Sequence, residues 1–363
     1  MPLRTWLGRA ERLIERTLRR ARRIDDRVVR LAPAGEAAGR AVFSYIVDPF
    51  LLPPGREVRY SHTHFWESLT IGRTLAGLGF AVDVLHWTNR SYTPAGDVDL
   101  LVDVRLNLER LAPLAGPRCV KVQQIETAHW RTNNGNQLAR LADLARRRGI
   151  VLPPYRLVEE NRALDAADAG IVLGNEFTIE TYADAGKPLW RVPISNPFLY
   201  PEPDDAAIDG RRRRFLYFGG IGFVHKGLDL VLEAFAGAPE LELLVCAPVE
   251  RERDFARAFA RELHRTPNIR CLGWQDVGRP RFLEIARSAL ATVFPSCSEG
   301  GGGSVVTAMH TGLIPVVTRE TSVDVEPAVG VLLADARVET IRAAVRELAA
   351  RPGSELAAMS RAA

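Results

Sequence analysis

The chain has 363 residues, enough for about two domains of ordinary size, and its 47% hydrophobic and 25% charged residues are the balance of a soluble globular protein. No apolar run approaches the roughly 18 residues that span a bilayer, and the arginine-rich start lacks the apolar core of a signal peptide, so a spanning or exported chain is not expected. The formal charge of +4 belongs to one segment: Met1 to Ala32 holds ten arginines against four acids, a surplus of six, and the remaining −2 leaves the body with no nucleic-acid footprint.

In that first segment Leu3, Leu7, Ala10, Ile14, Thr17, Ala21, Ile24, Val28 and Leu31 recur at spacings of three and four, a helical stripe. An amphipathic helix over residues 1–32 has three uses: packing on the body, pairing with another copy, or lying on an anionic membrane with its arginines flanking the apolar face. Residues 1–39 are thus a basic helix and linker. From residue 40 to 197 strands and helices alternate. "AVFSYIV", "FAVDVLHW", "DLLVDV", "RCVKVQQI", "AGIVLGN" and "LWRVPI" read as strands, "FWESLTIGRTLAGLG" and "GNQLARLADLARRRG" as helices. Asp97 and Asp99 form an Asp-x-Asp triplet, but it precedes a strand instead of ending one. The polar, proline-bearing residues 198–214 read as a linker. From 215 to 363 the alternation resumes, with strands "RFLYFGG", "LELLVCAP", "NIRCLGW" and "IPVVT" and helices "KGLDLVLEAFAG", "ERDFARAFARELHR" and "PRFLEIARS". Short alternating strands and helices imply parallel sheets covered on both faces, which bind ligands at the carboxyl ends of their strands. Two such domains facing each other leave a cleft. Cys119, Cys246, Cys271 and Cys297 show no paired or metal-type spacing and read as reduced thiols of a cytoplasmic protein.

One stretch stands apart: "FPSCSEGGGGSVVTAMHTGLIPVV", Phe294 to Val317. The apolar "ALATVFPS" before it reads as a buried strand. Four glycines make a loop, and a helix is expected from Ser304, a capping-type residue, to Gly312. A strand, a glycine loop and a helix start present backbone N–H groups suited to an anion such as phosphate; the plain alternative is a flexible turn. Upstream, Lys226 opens a helix after a strand glycine, where its ammonium and neighbouring N–H groups reach the same kind of ligand.

"FLYFGGIGFVHKGLDLVLEAF" and, some seventy residues on, "PSCSEGGGGSVVTAMHTGLIPVV" together resemble the donor half of glycosyltransferase family 4. The likeness is good from Phe215 to about Thr318 and weaker from Val42 to Pro197, where "TAHW" and "VPISN" resemble the family's strand-end histidine and domain-crossing asparagine. It implies a GT-B fold: two Rossmann-like, doubly wound α/β domains facing a central cleft that holds a nucleotide-sugar. By the same resemblance Glu299, Lys226 and His129 are the catalytic candidates. Lys226 faces the diphosphate, while Glu299 and His129 face the transferred sugar. Gly219, Gly220, His225, Gly300, Gly301, Gly302, Gly303, Ser304 and Thr307 are the donor-binding candidates. The implied reaction is metal-independent transfer, with retention, from a nucleotide-sugar to a hydroxyl of a glycan or lipid-linked acceptor in cell-envelope polysaccharide or glycolipid synthesis. The nucleotide-sugar is a co-substrate, so no cofactor is expected, and the location is cytoplasmic, with residues 1–32 available to an anionic inner membrane face.

Two departures from the family pattern matter. Where the family carries arginine after the strand glycine this chain has Gly220, with His225 and Arg279 near enough to compensate, and where the family's second glutamate holds ribose hydroxyls it has Thr307. These losses keep open a non-catalytic, scaffold-like relative. An NAD-dependent oxidoreductase is opposed by "LELLVCAP", which ends without the acidic residue that a dinucleotide site places on the ribose. The final "PGSELAAMSRAA" reads as the start of a helix that the family normally continues.

Overall fold

The computed structural model describes residues 24–53, 63–203 and 208–363. These fall into two α/β units. The first takes the described residues up to Ile125 with Asn161–Ile171 and Ala185–Trp190; the second takes Glu126–Glu160, Val172–Asp184 and Arg191–Ala363.

Seven strands form the first sheet: β1 (Val28–Leu31), β2 (Gly39–Tyr45), β3 (Phe80–His86), β4 (Leu100–Asp103), β5 (Val120–Ile125), β6 (Ala169–Leu173) and β7 (Leu189–Val192). Their order is β1-β3-β2-β4-β5-β6-β7. β2 runs parallel to β3 and β4, and β4 to β5. Central strands buried on both faces need near-continuous apolar sequence, and "AVFSY" in β2 is buried throughout. The Thr63–Gly77 helix packs against this sheet; at Gly72 a Cβ would lie 2.7 Å from the Phe50 ring, so the ring seats where a side chain would stand.

β1 corrects the expected N-terminal helix. Residues Val28 to Leu31 carry two positions of the helical stripe, yet they form a strand antiparallel to β3, Val28 opposite Leu85 and Leu31 opposite Val82. The β-branched Val28–Val29 pair suits a strand, and β3 offers it an open edge of backbone partners, so tertiary pairing overrides the local period. Ile24 opens a short 3-10 turn, Ile24–Asp26, and residues 1–23, which hold the other six positions of that stripe, lie outside the described residues.

In the second unit β8 (Arg214–Phe218), β9 (Glu242–Cys246), β10 (Ile269–Cys271), β11 (Ala291–Phe294), β12 (Ile314–Val317) and β13 (Val331–Leu332) form one sheet. The order is β10-β9-β8-β11-β12-β13, with every neighbouring pair parallel. Counted from β8 this is 3-2-1-4-5-6, the doubly wound order whose direction reverses between β8 and β11. Phe215, Tyr217, Val293 and Phe294 are fully buried between covering helices. Among them is Trp130–Arg148, whose Leu144 sits in this core. The stretch read as one helix from Glu252 to Arg265 is two, Arg253–Ala258 and Ala260–Arg265, interrupted at Phe259; that ring stacks on Phe255 at 4.6 Å in the core.

Candidate active site at the strand-order reversal

β8 and β11 are neighbours, so the loops that follow them, Gly219–Gly227 and Pro295–Gly302, lie side by side at the carboxyl end of the sheet. Glycine makes this approach possible. A Cβ on Gly219 would be 2.9 Å from the Phe294 ring, and one on Gly227 would be 2.5 Å from the Pro295 carbonyl oxygen. Gly227 also has φ +74°, a conformation few other residues adopt, and it caps the Leu228–Ala236 helix. The glycine after the lysine is therefore set by chain crossing as much as by any ligand.

Polar contacts zip the loops together. The Cys297 N–H donates to the His225 carbonyl at 2.9 Å, and the His225 ring donates from Nε2 to the Ser298 carbonyl at 2.5 Å. His225 is almost fully buried and burial pulls it down to about 4, so it is neutral at pH 7 and carries its proton on Nε2. A neutral ring cannot stand in for the expected arginine. Arg279 is largely exposed, with Asp276 at 3.9 Å.

Lys226 and Glu299 form the centre of the site. Lys226 Nζ lies 2.5 Å from Glu299 Oε1, and the Ser296 hydroxyl donates to the same oxygen at 3.0 Å. The ammonium also stands 5.2 Å over the Phe294 ring. Burial raises a carboxyl, but for Glu299 the charges of Lys226 and Arg156, that of His225 once its ring is protonated in acid, and the bond from Lys226 outweigh it and hold the group at about 2. Lys226 lies below its usual value because burial outweighs the pull of Glu299. These shifts act in opposite directions on the pair. The short charge-assisted contact and the hydroxyl on the carboxylate favour the ionised state.

The glycine run has mixed causes. A Cβ on Gly300 would meet the Glu126 carbonyl oxygen at 1.8 Å, and one on Gly302 would meet Val323 at 2.6 Å and the Thr321 carbonyl oxygen at 2.8 Å; Gly301 and Gly302 have φ of +111° and +55°. At Gly303 only Ile194 approaches, at 4.0 Å. The helix begins at Gly303 and ends at Met309, with Gly302 as its cap and no capping side chain, which corrects the expected start at Ser304. Ser304 is half-buried in the first turn, and Thr307 is buried further along. Gly300 and Gly302 thus allow the close approach of neighbouring protein.

His129 caps the Trp130–Arg148 helix: its Nδ1 accepts the Arg131 N–H at 3.3 Å, and its ring meets Tyr182 edge-on at 5.2 Å. The Glu126–Thr127 backbone that precedes it is the stretch seated against Gly300, so the histidine segment and the glutamate loop come together within one unit. Asn136 and Arg140, from the same helix, donate to the carbonyls of Cys297 and Pro295 at 2.8 and 3.1 Å. Neither stood out in the sequence, where only their spacing of four marks one helix face. Glu252 was also missed: its carboxylate accepts the N–H groups of Gly222 and Phe223. It follows β9 a few residues beyond the acid-free "CAP", at a helix start. Asp99 Oδ2, just before β4, accepts the Arg40 N–H at the start of β2 at 2.8 Å, so this member of the Asp-x-Asp triplet ties two strand starts together.

Gly220 is open. No atom lies within 4 Å of where its Cβ would stand. The expected arginine is missing here without a steric cause.

Comparison with known proteins bears on the fold. Residues 212–351, less than half the chain, match the family described as "Glycosyl transferases group 1". No curated protein sequence matches. Among solved structures the chain is similar to TarM of S. aureus, with 11% identity and a TM-score of 0.51 over 72% of the chain and 50% of TarM. It thus spans about half that protein's length. It is similar also to Anabaena HepE, solved with UDP and glucose, with 13% identity and a TM-score of 0.51 over 89% of the chain and 92% of HepE. Sucrose-phosphate synthase from Thermosynechococcus elongatus gives 16% identity and a TM-score of 0.54 over 89% and 92%. At such identities the likeness is one of fold. The fold is the GT-B fold, and residues 212–351 match the group 1 glycosyl transferase family.

Proposed function

We propose that the chain transfers a sugar from a nucleotide-sugar donor to a hydroxyl acceptor. The observation that carries this reading is the buried Lys226–Glu299 pair at the reversal of strand order, where doubly wound sheets take their ligands. In the reaction the bond between the anomeric carbon and a phosphate oxygen breaks, the diphosphate leaves with the electron pair, and the acceptor oxygen bonds to the carbon and releases its proton. The leaving group gains negative charge, and Lys226, already placed and partly desolvated, stabilises that charge more in the transition state than in the ground state. Glu299 is ionised throughout the neutral range and is suited to accept hydrogen bonds from the sugar's hydroxyls.

Retention, metal independence and membership of family 4 are part of the proposal and rest on the motif resemblance. So does a cytoplasmic role in cell-envelope polysaccharide or glycolipid synthesis on a glycan or lipid-linked acceptor. Among the described residues no helix is long and apolar enough to cross a membrane. Gly220 and Thr307 favour one rival, a relative that keeps the fold without turnover. A thermal-shift screen with UDP-, GDP-, ADP- and CMP-sugars, followed by donor hydrolysis and transfer assays on any binder, separates the two. A ligand at 100 times its Kd raises stability by about 2.7 kcal/mol. Binding with turnover supports the transferase, binding without it supports the rival, and no binding overturns both.

A further inference from the structure

A donor diphosphate carries more negative charge than one lysine answers, and Lys226 is already paired with Glu299. The position that the resemblance would fill with arginine is the bare Gly220, and His225 is neutral. Another cation does reach this place. Arg156 lies in the segment after the Trp130–Arg148 helix, within the same unit, and its backbone is held on both sides. The Asn133 side chain donates to the Arg156 carbonyl at 2.9 Å, and Asn134 makes a two-way clamp with the backbone of Val158, 2.9 Å in each direction. From that anchor the Arg156 stem crosses Gly222, where a Cβ would be 2.3 Å from its Cγ and 2.8 Å from its Cδ. Gly222, at φ +93°, leaves the groove in which the stem lies. The guanidinium charge acts on Lys226, His225, Glu299 and Glu252, so it sits over the loop after β8. Among the described residues no ion pair or side-chain hydrogen bond engages it.

We infer that Arg156, passing over Gly222, is the second cation for the donor's diphosphate and replaces in space the arginine absent at position 220; this rests on the nucleotide-sugar reading above. A guanidinium is suited to the task because its planar fork grips two phosphate oxygens at once. The competing role for Arg156 is neutralisation of Glu252, which would fix the loop and leave nucleotide affinity indifferent to phosphate number.

Calorimetry on the full chain with UDP, GDP and ADP and the matching monophosphates decides between them, using Arg156→Ala, Arg156→Ala/Gly220→Arg and Lys226→Ala, with urea unfolding as a check on folding. Expected is a 10- to 100-fold loss of diphosphate affinity in Arg156→Ala, a smaller loss for monophosphates, and recovery in the double variant. If Arg156→Ala binds the diphosphate like wild type while Lys226→Ala loses it, the inference falls and the donor reading stands. Equal losses for mono- and diphosphates assign Arg156 to Glu252 and also overturn the inference. If wild type binds none of the three diphosphates, the donor reading falls and takes the inference with it.

Discussion

Lys226 and His225 are adjacent, buried and opposite in function. Lys226→Ala is expected to lower kcat/KM by about 10²–10³-fold, the loss seen when one transition-state charge donor is removed. Steady-state kinetics on a folded variant check it; a change of only a few-fold would remove Lys226 from the diphosphate. His225 governs acid stability instead. Its folded pKa of about 4 lies below its ordinary 6.5, so the unfolded chain binds more protons in that window. Stability therefore falls as pH drops from about 6.5 to about 4, by up to roughly 3 kcal/mol. Glu299, held at about 2, adds a further loss only between about 4.5 and 2. His225→Gln can keep a donor to the Ser298 carbonyl without a titrating ring. Urea unfolding at pH 7 and pH 4.5 should show a smaller drop in this variant than in wild type. Equal drops would mean that the ring does not resist protonation.

The two loops explain both what the sequence disclosed and what it hid. Strand, glycine and lysine were legible because each has a local signature: apolar runs for β8 and β11, and glycines where the chain turns left-handed. The reasons for the glycines were not legible, since the Pro295 carbonyl against Gly227 and the Glu126 carbonyl against Gly300 come from segments remote in sequence. For the same cause Asn136, Arg140, Arg156 and Glu252 carry no signal in their own neighbourhoods. β1 was misread because its period of three and four is real, yet its hydrogen-bond partners lie some fifty residues away on β3. Gly227→Ala is predicted to destabilise the fold by more than 1 kcal/mol, the sum of an unfavourable positive φ and a Cβ 2.5 Å from a carbonyl oxygen. A chemical-denaturation midpoint unchanged in that variant would contradict the crossing. Gly302→Val should likewise act through stability, because its side chain meets Val323 and Thr321.

Over the whole chain the second unit is tied to its early segment by charge. Arg147 bonds at 2.7 Å to Asp229, whose side chain is fully buried, and also to Glu233 and to Asp143 on its own helix. Burial raises Asp229 to about 6 despite the lowering effect of Arg140 and Arg147. Arg147→Ala leaves that carboxylate without its hydrogen-bonded partner, at an expected cost of roughly 3–5 kcal/mol at pH 8. The cost should shrink at pH 5, as the carboxyl takes up a proton; a penalty independent of pH would show that Asp229 is not the group concerned. At the other end, deletion of residues 1–23 tests the proposed anionic-surface role of the arginine stripe. Full chain should co-sediment with anionic but not neutral vesicles and be released by salt, while the deletion should not sediment and should keep its melting temperature. Absence of binding by the full chain at low salt would overturn that role. The deletion has to stop before Val28. β1 occupies the outer edge of β3, and its four residues present an exposed Arg30 to solvent. Removing it would bare the seven-residue, largely apolar β3 as an unpaired ladder of N–H and C=O groups, the template on which chains join edge to edge. A cut three or four residues too far would therefore leave catalysis a secondary matter and give a protein that assembles with itself.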